Sequence, residues 1–228
     1  MSVPFDPNVT QLLIWGSSGH AKVLAEIAAL ARVEIVALFD RDPDAESAID
    51  GVALQHSDEE LAHVAEAFPN TGLVGAIAAI GGARGQDRRH YLDRFRQLGF
   101  ATPSAIHPSA WVSPSATIHA NCHVLAHAVV GVEAVLGEAC IVNTSASVDH
   151  ECRLADGVHI GPGARLAGCV AVGEDSFVGA SATILPRVSI GRGVTVGAGA
   201  VVTQDVPDGA TVVGCPARAL PRKAQEPK

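Results

Sequence analysis

The sequence has few aromatic residues. Phe, Trp and Tyr together make up 4% of its 228 residues, although 48% of the residues are hydrophobic. The apolar content therefore rests on Val, Ile, Leu and Ala, and this bias favours narrow, closely stacked cores. Because the chain is strongly apolar and only 18% of its residues are charged, the composition predicts a folded protein and excludes an intrinsically disordered one. The length is sufficient for one large domain or two small ones.

The sequence also lacks an excess of positive charge. Its formal net charge is −8 at pH 7, whereas a nucleic-acid-binding protein needs a basic face to neutralise phosphates. We therefore expect no nucleic-acid partner. The chain shows no apolar run long enough for a transmembrane helix and no positively charged leader, so we expect no membrane association. Its five cysteines form no CxxC pair, and an odd count suits a reducing compartment, which predicts a cytoplasmic location.

Apolar runs alternate with helical patterns in the first half of the chain. The run "QLLIWG" ends in glycine and is typical of a buried parallel strand, and Ser57 with Glu60 has the S-x-x-E form of a capping box. This alternation predicts a small Rossmann-like parallel sheet domain over residues 11–105, after an N-terminal extension of residues 1–10. The predicted strands are 11–16, 33–40 and 72–81, and the predicted helices are 18–32, 57–68 and 86–99.

Residues 106–207 follow a different rule, with a period of six. The first position of the hexad is Val, Ile or Leu in all seventeen hexads from Ile106 to Val202, and no insertion interrupts the frame. The fifth position is mostly Ala, Cys or Val. This period fits a parallel β-helix, in which each hexad forms one flat side and three hexads form a coil of about 18 residues. The sequence therefore predicts a β-helix domain over 106–207, followed by a C-terminal segment, 208–228.

Titratable residues interrupt this regular repeat in the stretch "IVNTSASVDHEC", residues 141–152. His150 is suited to act as a general base because imidazole titrates near neutrality. Asp149 and Glu151 flank it, and a carboxylate can orient the imidazole and stabilise its charged form. The coil length places Gly168 one coil above His150, and a glycine there leaves its peptide N–H open as a donor to a developing oxyanion.

Four motifs together resemble one family of hexapeptide-repeat acyltransferases. They are "GSSGHAK" (16–22), "LFD" (38–40), "NTSASVDHEC" (143–152) and "VVGCPAR" (212–218). This combination is similar to the sialic-acid O-acetyltransferase NeuD family, and within it to the PglD-type N-acetyltransferases of nucleotide-linked 4-amino-4,6-dideoxy sugars. The resemblance spans residues 11–218. It implies a left-handed β-helix, acetyl-CoA as co-substrate without a metal, a role in bacterial glycan biosynthesis, and a homotrimer with active sites between protomers.

The resemblance also assigns site residues. It implies that His150 is the general base, that Glu151 supports it, and that transfer from acetyl-CoA to the amino sugar is direct. The residues that it implies for the nucleotide-sugar site are Gly16, Ser18, Gly19, His20, Asp40 and Asn143. Those that it implies for the acetyl-CoA site are His159, Gly168, Ala180, Ala198, Pro216 and Arg218.

Residues in the first half of the chain restrict the kind of nucleotide ligand that it could bind. Gly16-x-x-Gly19 follows a strand and opens a helix, which is a phosphate-loop pattern, but without GxGxxG it argues against a dinucleotide. Asp40 lies where the second strand ends, the position at which parallel sheets bind ligands. The stretch "IGGARGQDRR" (80–89) departs from the family's Gly-Asp/Asn-Asn type of turn. The choice among UDP, GDP and dTDP as the nucleotide therefore stays open.

The sequence leaves other functions open. The same architecture serves O-acetylation of sialic acid or a related sugar, and it would also suit a non-catalytic scaffold that binds a nucleotide sugar. A γ-type carbonic anhydrase is disfavoured because the β-helix histidines include no His-x4-His pair. His107, His119 and His127 are interpreted as ordinary surface residues. Apolar side chains at sixth hexad positions are predicted to be exposed on the coils and buried by a neighbouring subunit, for example Val129, Val135 and Ile141.

Overall fold

A computed structural model describes residues 5–68 and 73–221. Three parts of the predicted elements lie outside these residues. They are the first four residues of the N-terminal extension, the first residue of the strand predicted over 72–81, and residues 222–228 of the C-terminal segment.

The N-terminal domain is built on a parallel sheet, as predicted, and the sheet has four strands where three were predicted. Its strand order is β3-β2-β1-β4, so β1 lies inside the sheet and is almost entirely apolar. The short strand β3 was not predicted, because a two-residue element carries no periodicity. The strands are β1 (Gln11–Trp15), β2 (Glu34–Phe39), β3 (Leu54–Gln55) and β4 (Val74–Ala78).

Three helices accompany this sheet: α1 (Gly19–Ala31), α2 (Asp58–Ala67) and α3 (Gly85–Gln97). The predicted capping box of α2 is confirmed: the Ser57 hydroxyl accepts the Glu60 amide, and the Glu60 carboxylate accepts the Ser57 amide at 3.0 Å. Among the described helices, none combines the length and the apolar character needed to cross a bilayer.

The second half is the predicted β-helix, a left-handed one in which each hexad contributes a two-residue strand. Strands 18 residues apart pair in parallel; Val142, for example, lies between Val124 and Ile160. Its strands are β5 (Ala105–Ile106), β6 (Trp111–Val112), β7 (Thr117–Ile118), β8 (His123–Val124), β9 (Val129–Val130), β10 (Val135–Leu136), β11 (Ile141–Val142), β12 (Ser147–Val148), β13 (Arg153–Leu154), β14 (His159–Ile160), β15 (Arg165–Leu166), β16 (Ala171–Val172), β17 (Phe177–Val178), β18 (Thr183–Ile184), β19 (Ser189–Ile190), β20 (Thr195–Val196) and β21 (Val201–Val202).

The three sides of the β-helix are sheets of five, six and eight strands. They meet at three corners, which we name after one residue of each. The His150 corner joins the six- and five-stranded sheets, whereas the other two corners flank the eight-stranded sheet. Over residues 119–200, the His150 corner comprises 131–134, 149–152, 167–170 and 185–188. Over the same residues, the Asn143 corner comprises 125–128, 143–146, 161–164, 179–182 and 197–200, and the Ala139 corner comprises 119–122, 137–140, 155–158, 173–176 and 191–194.

Every corner turns on a residue in the left-handed backbone region. From Asn121 to Gly199, the fourth residue of each hexad has φ between 54° and 71°, and most of these residues are not glycine. Such a residue carries a modest backbone cost, so the packed apolar column of first-position side chains must maintain the turn.

The last coil departs from the predicted frame. Val206 bridges to Ile190, and Thr195 pairs with Thr211, so this coil is two residues short and the expectation of a complete seventeenth hexad is wrong. The carboxylates of Asp205 and Asp208 accept the amides of Ser189 and Arg192, both at 2.8 Å, and so take over part of the hydrogen bonding between coils. The chain then forms β22 (Thr211–Val213), which pairs in antiparallel fashion with β23 (Arg218–Ala219).

The N-terminal domain packs on the eight-stranded side. Ile141, predicted to be covered by a neighbouring subunit, is fully buried in its own chain, so that prediction is wrong for this residue; Val129 and Val135 are partly exposed. Arg88 of α3 is 1% exposed and its guanidinium donates to the carbonyls of Ala139 and Gly157. Its charge therefore joins the two domains through backbone oxygens.

Candidate active site

The His150 imidazole is paired with the carboxylate of the next residue. His150 Nδ1 lies 3.0 Å from Glu151 Oε2, and because a carboxylate only accepts, Nδ1 carries the hydrogen and Nε2 is left as the free acceptor. The hydrogen bond from His150, with a further one from the Cys169 thiol, lowers the pKa of Glu151. Asp149 does not compete for the ring, since its Oδ1 accepts the His150 amide at 2.7 Å. Glu151 is thus the carboxylate that orients the imidazole.

Gly168 lies against this imidazole, as the coil length predicted. A Cβ on Gly168 would overlap His150 Nε2 and Cε1, so no other residue fits without displacing the ring. Within residues 5–68 and 73–221, no backbone carbonyl accepts a hydrogen bond from the Gly168 amide, whereas the next amide, that of Cys169, donates to the His150 carbonyl at 2.9 Å. The Gly168 N–H is therefore an open donor on the coil above the base.

Asn143 and His159 form a second polar pair, at the other end of the six-stranded side. The Asn143 amide donates to His159 Nε2 at 3.1 Å, and His159 Nδ1–H donates to the Gly82 carbonyl at 3.2 Å. Burial, and the nearby charge of Arg88, lower the pKa of His159 to about 3, so the ring is neutral. Within one chain His159 is separated from His150, because it lies on the side covered by the N-terminal domain.

His20 reaches the β-helix from the first turn of α1. Its Nε2 lies 3.0 Å from Nδ1 of His123, which is completely buried. Burial is the main cause that lowers the pKa of His20 to about 4 and that of His123 well below its usual range. Sequence reasoning assigned no role to His123, although its sixth position in the hexad directs it outward from the coil and towards the N-terminal domain.

Three of the remaining predicted nucleotide-sugar residues, Gly16, Ser18 and Asp40, line a cavity of about 80 Å³ at the carboxyl ends of β1 and β2. The fourth, Gly19, is the first residue of α1 and does not line the cavity. Gly16 has φ +106°, and a Cβ there would overlap the Ala79 carbonyl. Ser18 caps α1 without using its side chain in a hydrogen bond. Asp40 accepts the amides of Ser17 at 2.7 Å and of Asp42 at 3.1 Å. Part of the acceptor capacity of Asp40 is therefore used to shape the loops of the cavity.

Two cationic side chains at this cavity were not predicted as site residues from the sequence. Arg41 and Arg84 both line it, and Arg41 Nε donates to the Tyr91 hydroxyl at 2.8 Å. The Tyr91 ring stacks on Trp15 with centroids 3.9 Å apart, and burial raises the pKa of its hydroxyl to about 12. The signals were present: Arg41 directly follows Asp40, and Arg84 lies in the stretch that departs from the family pattern.

The predicted acetyl-CoA residues do not form one column. Gly168 lies at the His150 corner, whereas Ala180 and Ala198 are successive residues of the Asn143 corner, where the Gly199 amide donates to the Ala180 carbonyl. The six-stranded sheet separates the two corners. Pro216 and Arg218 are exposed beside β21, at the upper end of that sheet. A ligand that touched all five residues would extend along the six-stranded side.

Comparison with known proteins agrees with both halves of the chain. The model of the PglD N-terminal domain family matches residues 11–94, and that of the bacterial transferase hexapeptide family (six repeats) matches residues 170–204. The structure is similar to that of PerB from Caulobacter crescentus in complex with CoA and GDP-perosamine, with 36% sequence identity and a TM-score of 0.84. That match covers 92% of this chain and 97% of the other.

The chain belongs to the PglD-type family of hexapeptide-repeat acetyltransferases.

A second solved structure supports this assignment. The acetyltransferase domain of PglB from Neisseria gonorrhoeae, in complex with acetyl coenzyme A, is 37% identical, with a TM-score of 0.82 and coverage of 93% of this chain and 100% of the other. WeeI from Acinetobacter baumannii, at 23% identity and a TM-score of 0.81, shares the fold over 92% of this chain and 100% of its own. The protein is therefore an acetyltransferase with a PglD-type N-terminal domain.

Proposed function

We propose that the protein transfers the acetyl group of acetyl-CoA to the amino group of a nucleotide-linked amino sugar, with His150 as general base. The observation that carries this proposal is the His150–Glu151 pair beneath the open Gly168 amide. The related structures support the choice of substrates, because one holds CoA with GDP-perosamine and another holds acetyl coenzyme A. Acetyl-CoA is the acetyl donor, and the acceptor is an amine rather than a hydroxyl.

The two ring nitrogens of His150 have different roles in the proposed reaction. As the amine nitrogen attacks the thioester carbon, a C–N bond forms and the amine proton passes to His150 Nε2. Glu151, held on Nδ1, stabilises the resulting imidazolium. The carbonyl oxygen becomes an oxyanion and accepts a hydrogen bond from the Gly168 N–H. The C–S bond then breaks, the amide product forms, and the CoA thiolate takes up a proton, so no acyl-enzyme is required.

The N-terminal cavity is proposed as the nucleotide site. A diphosphate would meet the Gly16–Gly19 turn at the N-terminus of α1, where unpaired amides favour anions, together with the cations of Arg41 and Arg84. The cavity also includes Ile80 and Gly81, and the next residue, Gly82, holds His159. The acceptor sugar would therefore extend from the cavity towards the Asn143–His159 pair.

The geometry of one chain leaves this site incomplete. The N-terminal domain covers the eight-stranded side, and the His150 corner is the one corner that does not border that side. The base of one chain thus lies away from the nucleotide cavity of the same chain. We propose a homotrimer in which His150 of one protomer meets the cavity of its neighbour, with three sites per trimer.

Replacement of His150 tests the catalytic role. His150→Ala should lower kcat by about 10²–10⁴-fold and leave the affinity for CoA unchanged, because the base acts only in proton transfer. His127→Asn, at an exposed corner of another coil, is the matched control and should retain full turnover. Unaltered turnover by His150→Ala would remove the assignment.

A panel of acceptors tests the substrate class. Acetyl-CoA is combined with UDP-, GDP- and dTDP-linked 4-amino sugars and with free sialic acid, and the released thiol is measured. We expect thiol release with at least one nucleotide-linked amine and none with sialic acid. Turnover of sialic acid alone would indicate O-acetylation instead.

Mixed oligomers test the shared site. His150→Ala is co-expressed with a cavity variant, Arg41→Ala/Arg84→Ala, each of which should be inactive alone. If each site draws on two protomers, equal mixing should restore about one quarter of the wild-type activity. Activity of a monomer in light scattering, or mixed oligomers without restored activity, would contradict the arrangement.

A further inference from the structure

We propose that His150, Glu151 and Cys169 form a site for a soft divalent cation such as Zn²⁺, and that metal bound there stops acetyl transfer. One ligand atom from each residue lies within 4.8 Å of the other two. Glu151 Oε2 is 3.0 Å from His150 Nδ1 and 3.6 Å from the Cys169 sulfur. The three atoms thus already surround a common point on the side of the imidazole away from Gly168.

These distances suit a tetrahedral metal. With metal–nitrogen and metal–oxygen bonds of about 2.0–2.2 Å and metal–sulfur bonds of about 2.3 Å, ligand atoms at tetrahedral angles are separated by roughly 3.3–3.7 Å. The separations of Glu151 Oε2 from His150 Nδ1, 3.0 Å, and from the Cys169 sulfur, 3.6 Å, are close to these values. The remaining separation, between His150 and Cys169, is within 4.8 Å, so side-chain rotations would complete the geometry. Imidazole, carboxylate and thiolate are ligands that zinc accepts, and the fourth position would be open to water.

The backbone fixes two of the three ligands in advance. Glu151 and Cys169 occupy the same fourth position of hexads on successive coils, with φ of 59° and 62°, and the Cys169 amide donates to the His150 carbonyl. Cys122, Cys140 and Cys152 are buried in the coil core, whereas Cys169 is partly exposed. It opens, together with Glu151, onto a surface groove of about 340 Å³.

The charges around the site are mixed. Glu133 lies one coil below Glu151, and Arg187 lies one coil above Cys169 at the same hexad position; Arg153 also lines the groove. Two anionic ligands, a carboxylate and a thiolate, offset the double charge of the cation. When the metal binds, a metal–sulfur bond replaces the S–H bond and the thiol proton is released to solvent, so binding should strengthen as the pH rises.

Occupation of the site would disable the proposed base. In the metal-free protein Nδ1 carries the hydrogen and Nε2 is the free acceptor. A metal bound to Nδ1 uses the lone pair of that nitrogen, so Nδ1 can no longer carry the hydrogen. The single hydrogen of the neutral ring must then move to Nε2, which faces Gly168. An imidazole with N–H at this position has no lone pair for the amine proton. This inhibitory consequence rests on the proposed function of His150, whereas the metal site itself does not.

Cadmium binding tests the site without reference to activity. Cd²⁺ is titrated into the purified enzyme, and the ultraviolet charge-transfer absorbance of the cadmium–thiolate bond is recorded. We expect saturation at about one ion per chain, loss of the signal in Cys169→Ser, and an unchanged signal in Cys215→Ser. Cys215 is the exposed cysteine and controls for adventitious thiol binding. Cys169→Ser should fold, because Ser145 and Ser181 adopt the same backbone conformation at the same hexad position.

Zinc inhibition tests the consequence. Each variant is compared with itself in the absence of metal, at increasing Zn²⁺ concentrations, with recovery after chelation. The wild type should be inhibited reversibly, and Cys169→Ser should require at least about tenfold more zinc for half-inhibition, since even second-shell substitutions weaken metal binding that much.

The two experiments separate the possible failures. A cadmium signal that persists in Cys169→Ser, or disappears in Cys215→Ser, overturns the site. Cadmium binding at Cys169 without zinc inhibition overturns the inhibitory step alone. Full turnover by His150→Ala would contradict the proposed base and leave the cadmium result intact.

Discussion

The His150 imidazole is in direct contact with Gly168 of the next coil, where an added Cβ would overlap Nε2. The contact joins the proposed base to the proposed oxyanion donor without a loop or a hinge. Both residues are the third of their hexads, so the stacking of the β-helix alone sets their separation. The core beneath them therefore fixes the backbone positions of both residues.

Gly168→Ala should abolish most activity without unfolding the protein. The added methyl group must displace the imidazole and crowd the open amide, so we expect kcat/KM to fall by about 10²–10³-fold. Stability should be preserved, because Ala126, Ala180 and Ala198 occupy the same hexad position elsewhere. Steady-state kinetics and thermal melting check the two parts. Near-normal kinetics would show that the contact is irrelevant to catalysis.

Substitution of the two carboxylates beside His150 should have different effects on kcat. Glu151 accepts from the imidazole, so Glu151→Gln should lower kcat by about 10–100-fold with little change in KM. Asp149 accepts only its neighbour's amide, and Asn can do the same, so Asp149→Asn should remain close to wild type. Equal losses in the two variants would mean that general charge, and not ring orientation, matters here.

Arg88 should be a major contributor to stability. Its guanidinium donates to the carbonyls of Ile80, Ala139 and Gly157, which Arg88→Met would leave without that partner. We expect the free energy of unfolding to fall by about 3–5 kcal/mol. Arg84→Met, which removes an exposed ion pair with Asp87, should cost less than about 1 kcal/mol. Urea denaturation measures both, and similar values for the two variants would count against this role.

Acid should destabilise the fold through its buried histidines. Burial holds the pKa of His20 at about 4 and that of His159 at about 3, and it lowers the pKa of His123 well below its usual range. In the unfolded chain these groups bind protons near pH 6.5, so the unfolded state takes up more protons as the pH falls. The contribution of these histidines to the free energy of unfolding is thus fully present above about pH 6.5. It declines towards pH 4, by about 1.4 kcal/mol per pH unit for each histidine.

Denaturation at a series of pH values tests this prediction. His123→Asn removes one buried titration while keeping a polar group, so the decline below pH 6.5 should become shallower. His127→Asn, at an exposed corner, should leave the slope as it is. A wild-type protein whose stability does not change between pH 7 and pH 5 would contradict the argument.

Much of the architecture could be predicted because the hexad frame is a local pattern. The invariant aliphatic at the first position predicted the strands and the coil length, and hence the contact between Gly168 and His150. The frame could not reveal the shortened last coil, because Val206 fits both the fifth position and the pairing with Ile190. There the carboxylates of Asp205 and Asp208, not the apolar residues, decide the register.

The parts of the site that escaped prediction depend on how the two domains pack. Nothing in the sequence near His123 indicates that His20, about a hundred residues earlier, would approach it. Ile141 looked like a surface residue for the same reason, since its cover comes from a domain with its own sequence pattern. Arg41 and Arg84 join one cavity only once β2 and β4 lie in the same sheet.

The antiparallel pairing of β22 with β23 has a consequence for assembly. A stack of parallel coils ends in a row of unpaired peptide groups, onto which another copy could in principle add its own strand. Here the chain folds back on itself and pairs the terminal row of the eight-stranded side with β23, a two-residue edge strand that includes one charged residue, Arg218. Growth into fibres along the coil axis is thereby discouraged at this end of the molecule.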